Sequence, residues 1–159
     1  MNITLLSVGK LKEDYLRRAC AEYQKRMTPF ARFSILEIDE YRLPAAPSPA
    51  QIEAGLLKEG AWILEKVPPG SVLVSLCVEG KNLSSEEFSR WLFSSALDGS
   101  SHFTFVIGGS YGLSEEVKQA SRLRLSLSSM TFPHMLARVL LCEQIYRALQ
   151  IERNTKYHK

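Results

Sequence analysis

At 159 residues, with 45% apolar and 23% charged residues, the chain has the size and composition of one ordinary folded domain, which excludes a disordered chain. No apolar run approaches the roughly 18–20 residues that span a bilayer, and Met1-Asn2-Ile3-Thr4 lacks the basic leader of a signal peptide, so a cytoplasmic protein with no membrane partner is expected. The net charge of +3 is unevenly spread: residues 1–116 carry 12 Lys/Arg against 15 Asp/Glu, whereas residues 117–159 carry 8 against 2, a pattern that points to a polyanionic partner.

Taken in chain order, Ile3 to Val8 reads as a strand. A helix follows from about Lys12, with Tyr15, Leu16, Ala19, Tyr23 and Met27 on one stripe, and stops before Pro29. Phe33 to Ile38 is a second strand. Ser48, Pro49 and Gln51 form a capping box that opens a helix, weakened in its middle by Gly55 and Gly60. Ser71 to Val78 is almost continuously apolar, as a central parallel strand should be. Ser84 and Glu87 open another helix, which buries Phe88, Trp91 and Leu92. Phe103 to Ile107 and Leu123 to Leu127 are strands, and Met135 to Ile151 is a strongly apolar last helix. This alternation predicts a single α/β domain over residues 1–159, three-layered, with a mostly parallel sheet.

Three segments could carry chemistry. In Val106-Ile107-Gly108-Gly109-Ser110-Tyr111-Gly112-Leu113-Ser114 a strand runs into a glycine loop, where the backbone can approach a ligand; a plain tight turn needs glycines as well. Its G-G-x-x-G spacing is not a dinucleotide fingerprint, and no Asp or Glu lies between residues 117 and 142 to hold a ribose. The second segment, Leu127-Ser128-Ser129-Met130-Thr131-Phe132-Pro133-His134, links a strand to the last helix, either as ligand loop or as ordinary capping loop. Ligands of open α/β sheets sit beyond the C-terminal strand ends, which makes these two loops plausible neighbours. The third is the basic tail Arg153-Asn154-Thr155-Lys156-Tyr157-His158-Lys159, whose ring and imidazole among cations suit an unstacked base beside phosphate. No spacing resembles a metal site, a serine-hydrolase elbow or a Walker loop, and Cys20, Cys77 and Cys142 read as buried free thiols.

Together with the opening Ile3-Thr4-Leu5-Leu6-Ser7-Val8-Gly9-Lys10, Arg138-Val139-Leu140 and Glu143-Gln144-Ile145-Tyr146-Arg147-Ala148, these segments resemble the SPOUT class of methyltransferases. More closely, they are similar to the ribosomal large-subunit RNA methyltransferase H family of pseudouridine N3-methyltransferases. That resemblance covers the whole chain and implies a homodimer, a C-terminal trefoil knot over about residues 103–159, and the cofactor S-adenosylmethionine, with S-adenosylhomocysteine as product. It implies cofactor contacts from Leu76, Gly108, Leu127, Ser128, Ser129, Met130, Thr131 and Phe132. Lys156 stands where relatives often have proline before the Tyr-His pair.

The implied acceptor is N3 of a pseudouridine in large-subunit ribosomal RNA, on the assembled ribosome. An activated donor leaves the protein mainly to align the reactants and to manage the acidic N3 proton. His134, Arg138 and His158 are candidates for that task, unranked by sequence, and Tyr157 is a candidate to stack on a base. Two other readings stand beside it: a SPOUT enzyme acting on transfer RNA, and a non-enzymatic RNA- or ribosome-binding factor.

Overall fold

Ile3, Leu5, Leu6 and Val8 are all buried, so the first strand, β1 (Asn2–Val8), is covered on both faces. The computed structural model describes all 159 residues and continues with α1 (Asp14–Met27), β2 (Arg32–Ile38), α2 (Pro49–Lys66), β3 (Val72–Asn82) and α3 (Ser85–Leu97). It ends with β4 (His102–Ile107), α4 (Glu115–Ala120), β5 (Leu123–Ser126) and α5 (His134–Glu152). The strands form one sheet in the order β2-β1-β4-β3-β5, and every pairing is parallel.

The three expected layers are present. On one face Ile3, Leu5, Val74, Phe103 and Phe105 pack with Leu16 and Cys20 of α1, Phe88 and Leu92 of α3, and Leu141 and Ile145 of α5. On the other face Leu6, Val8, Leu73 and Val106 pack with Ile63 of α2 and Val117 of α4.

The helix starts follow from local hydrogen bonding. Ser48 and Gln51 close one capping box and Ser84 and Glu87 another, and Ser114 caps α4 through Val117 N–H. Each such cap contributes about 1 kcal/mol. α2 runs unbroken through Gly55 and Gly60. At Gly60 a Cβ would lie 2.3 Å from the Ser114 hydroxyl, so the glycine that weakens the helix also lets it approach the cap of α4.

β3 extends beyond the expected Val78. Its ladder with β5 shifts register between Leu76 and Lys81, so the intervening residues leave the pairing and bend outward. This bulge lies at the C-terminal end of the sheet, beside the glycine loop.

Candidate functional site

The C-terminal ends of β3, β4 and β5 enclose a cleft of about 780 Å³ lined by 22 residues, 11 of them hydrophobic. Its walls are the β3 bulge, the loop from Gly108 to Leu113, and the segment from Leu125 to Ala137. The two loops expected to be neighbours do line one cleft.

The glycine loop is tight. Gly112 N–H donates to the Gly109 carbonyl, Gly112 has φ +82°, and a Cβ on Gly108 would fall 2.1 Å from the Gly112 carbonyl oxygen. A side chain at position 108 would force this loop open. On the other wall, Ser126 Oγ donates to the Ser128 carbonyl and Met130 N–H donates to Ser128 Oγ, both at 2.9 Å. The main-chain N–H groups of Ser110, Tyr111, Ser129, Thr131 and Phe132 find no acceptor within the chain. Loops with free donors around an apolar cleft suit a ligand with polar edges on a flat ring.

Seven of the eight residues expected to contact a cofactor line this cleft: Leu76, Gly108, Leu127, Ser128, Met130, Thr131 and Phe132. Ser129 sits in the same loop but outside the lining. His134, at the first position of α5, lines the cleft and is half-buried. Burial, and then the Arg138 charge, hold its pKa below the usual histidine value, while Glu40 and Glu13 oppose.

Arg138 lies elsewhere. Its side chain is 1% exposed and donates to Glu37 Oε1 at 2.7 Å and to the Val8 and Gly9 carbonyls at 2.9 Å each. A guanidinium so enclosed does not face the cleft.

Tyr157 and His158 are also remote. The Tyr157 hydroxyl donates to Glu143, its ring lies 4.8 Å from the Arg147 guanidinium, and it packs edge-on against Tyr146. Burial and the Glu143 charge push its pKa up to about 12. Arg147 has only donors, so the His158 Nδ1 at 3.3 Å must accept, while Nε2–H donates to Glu86 at 2.7 Å. Arg147 is 13 residues beyond His134, about 20 Å along α5. One chain does not bring the tail and the cleft together.

Sequence reasoning missed Cys77, Val78 and Glu79 on the β3 bulge, Tyr111, and Lys118 of α4. Glu79 and Lys118 form an ion pair, which lowers the Glu79 pKa. Cys77 was expected to be buried; it is only half-buried because the bulge turns it toward the cleft, and burial first, with Glu79 second, raises its pKa. The only available signal was the Glu79-Gly80-Lys81 break after a continuous apolar run. The basic segment is largely paired within the chain. Lys118, Arg122, Arg124, Arg138 and Arg147 face Glu79, Asp98, Glu115, Glu37 and Glu143, so most of its charge excess is met by carboxylates. No group of three or more His, Cys, Asp or Glu residues could hold a metal ion, and no helix is long and apolar enough to cross a membrane.

A family model described as predicted SPOUT methyltransferase matches residues 1–158. The chain belongs to the SPOUT methyltransferase family. A ribosomal RNA large subunit methyltransferase H from Carboxydothermus hydrogenoformans is 48% identical over 159 residues, covering 100% of both chains, so the resemblance read from the motifs holds over the full length. Among solved structures, a probable methylase family protein from Haemophilus influenzae Rd KW20 superposes with a TM-score of 0.52 at 14% identity. That match covers 99% of this chain and 70% of the other, and it supports the SPOUT fold alone.

Proposed function

We propose that the chain methylates N3 of a pseudouridine in large-subunit ribosomal RNA, with S-adenosylmethionine as donor, acting in the cytoplasm as a homodimer on the assembled ribosome. The observation that carries this reading is the cleft itself: two small-residue loops with free N–H groups, and a half-buried imidazole at its edge. The name of the 48% identical relative supports ribosomal RNA as the acceptor, and family membership supports a trefoil knot formed by the C-terminal third.

The residues present fit the donor. Ile107, Leu76, Leu125 and Leu127 offer an apolar surface to a purine, and the free amides of Thr131 and Phe132 suit its ring nitrogens. Lys118 and Glu79 carry opposite charges in the same wall, matching the carboxylate and ammonium of an amino acid. When bound, S-adenosylmethionine supplies an electrophilic methyl group on a sulfonium and departs as S-adenosylhomocysteine. The chain aligns the acceptor and takes the N3 proton onto a ring nitrogen of His134, which its surroundings keep uncharged near neutral pH. Arg138 touches no substrate in this scheme.

A separation and a surface support the homodimer. Tyr157 and His158 dock on Arg147, about 20 Å along α5 from His134 of their own chain, so a tail that serves a cleft would be a second copy's. Along α5, Leu136 is exposed and Leu140 half-buried, and neither packs into the main core. They continue in helical register to Glu143 and Arg147, which hold the tail. A second copy seated on this stripe covers the leucines and offers Tyr157 as a stacking ring for the target base or its neighbour.

The test is transfer of labelled methyl from S-adenosylmethionine to intact ribosomes, separated subunits, protein-free ribosomal RNA and transfer RNA. Label in large-subunit RNA that requires assembled ribosomes is the expected result. Label in transfer RNA, or cofactor binding without any transfer, would overturn the proposed acceptor.

A further inference from the structure

We infer that Glu37 is a positioning residue for methyl transfer: through Arg138 it fixes the first turns of α5, which carry His134 and the adjoining wall of the cleft. The inference rests on the proposed roles of the cleft and of His134.

Glu37 is on β2, two strands away from β4, whose glycine loop is the nearest wall of the cleft. A single carboxylate oxygen, Oε1, accepts from Arg138 Nη1 at 2.7 Å and from Leu11 N–H at 2.8 Å. The other end of the same guanidinium is bound by the Val8 and Gly9 carbonyls at the C-terminal end of β1. The end of β1, β2 and α5 thus meet at one buried cation, and Glu37 ties in the loop leading to α1 through Leu11. Arg138 stands one helical turn after His134, so its anchoring sets where the imidazole and the preceding Pro133 sit.

The cap of α5 makes this anchoring necessary. Pro133 occupies the N-cap position and supplies no side-chain hydrogen bond to the first turn. Elsewhere in the chain Ser48, Ser84 and Ser114 do so. The start of α5 is instead tied down from one turn further along, by a charged pair whose cation has almost no exposure. Charge-assisted bonds of this geometry are stronger and more directional than neutral ones. The charged groups that act on His134 are Arg138 on its own helix and Glu40 and Glu13 on the loops packed against it, with Glu79 and Lys118 lining the same cleft. Glu37 is the counter-charge that offsets Arg138.

The test compares Glu37→Ala and Glu37→Gln with the full-length protein. Gln retains an oxygen for both hydrogen bonds and removes only the charge; Ala removes both. Three readouts are taken: the kcat and KM of methyl transfer, affinity for S-adenosylhomocysteine, and the pH titration of the His134 ring by NMR. Glu37→Ala is expected to lower kcat by about 10-fold or more, because small misplacements are costly in alignment-limited reactions. Glu37→Gln is expected to restore most of that loss while shifting the His134 titration to lower pH, since Arg138 is then uncompensated. An Ile145→Val core variant, which removes one methylene from the buried face of α5 far from the cleft, is the control that lowers melting temperature without changing any of the three readouts. A Glu37→Ala protein with wild-type kcat, or a Glu37→Gln protein with an unmoved His134 titration, would overturn the inference. The titration and Glu37→Gln remain decisive where Glu37→Ala does not fold. They need no turnover, so an inactive wild-type protein would count against the proposed function and not against Glu37.

Discussion

His134 and His158 belong to opposite ends of one helix: His134 lines the cleft, and His158 rests on Arg147, about 20 Å further along α5. If both serve one reaction, they must come from different chains. A His134→Ala chain mixed with a Tyr157→Ala/His158→Ala chain should therefore recover activity, because each mixed dimer rebuilds one complete site. Random pairing predicts roughly one quarter of wild-type turnover for the equimolar mixture. Two inactive variants that remain inactive when mixed and re-equilibrated would contradict a shared site.

The tail should undock in acid. The Glu86 carboxyl is held down to about 2, first by its own main-chain N–H, then by the Ser84 hydroxyl and His158. A carboxyl with a depressed folded-state pKa stabilises the native arrangement above its unfolded value and loses that contribution as pH falls through the folded one. NMR signals of the Tyr157 ring, which is docked beside His158, should change between about pH 4 and 2. Glu86 titrating at an ordinary carboxyl value would contradict the hydrogen bonds supplied by its own main-chain N–H, Ser84 and His158 together.

Cys77 should report ligand binding. It lines the cleft, whereas Cys20 and Cys142 are 3% and 0% exposed. Its raised pKa predicts slow alkylation at neutral pH and faster reaction in alkaline solution. S-adenosylhomocysteine should slow that reaction. Equal labelling with and without the ligand, read by mass spectrometry of the intact protein, would place the ligand elsewhere.

Salt dependence of RNA binding should be modest for so basic a C-terminal segment. Five of its cations are already paired, which leaves Arg153 against the Phe30 ring and Lys156 and Lys159 in the tail. Replacing Lys156 and Lys159 by alanine should reduce the slope of log K against log salt by about 1–2, since each phosphate contact contributes roughly 0.7–0.9. An unchanged slope would remove the tail from the RNA interface.

What could be read from sequence was local. Ser48 with Gln51 and Ser84 with Glu87 declare their helices because each partner lies three residues away. Each cleft loop alone could have been an ordinary turn or cap; together they were legible because both follow C-terminal strand ends, where open α/β sheets bind ligands. Glu37 and Arg138 are 101 positions apart, and Glu79 and Lys118 are 39 apart. No periodicity links such pairs, since only the packing of α5 and α4 on the sheet decides which carboxylate meets which cation. Arg138 therefore looked like a catalytic cation, and the basic segment like a bare polyanion-binding surface. The β3 bulge was hidden for a similar reason: its register shift is set by β5, some 40 residues later.

The identity of the methylated atom is tested most directly on the RNA itself. Large-subunit RNA recovered from intact ribosomes after incubation with the protein and S-adenosylmethionine should be digested to nucleosides and resolved by mass spectrometry. A single new nucleoside, N3-methylpseudouridine, is expected, absent when His134→Ala protein is used. Methyl on any other nucleoside, or an equal yield from the His134→Ala protein, would contradict it.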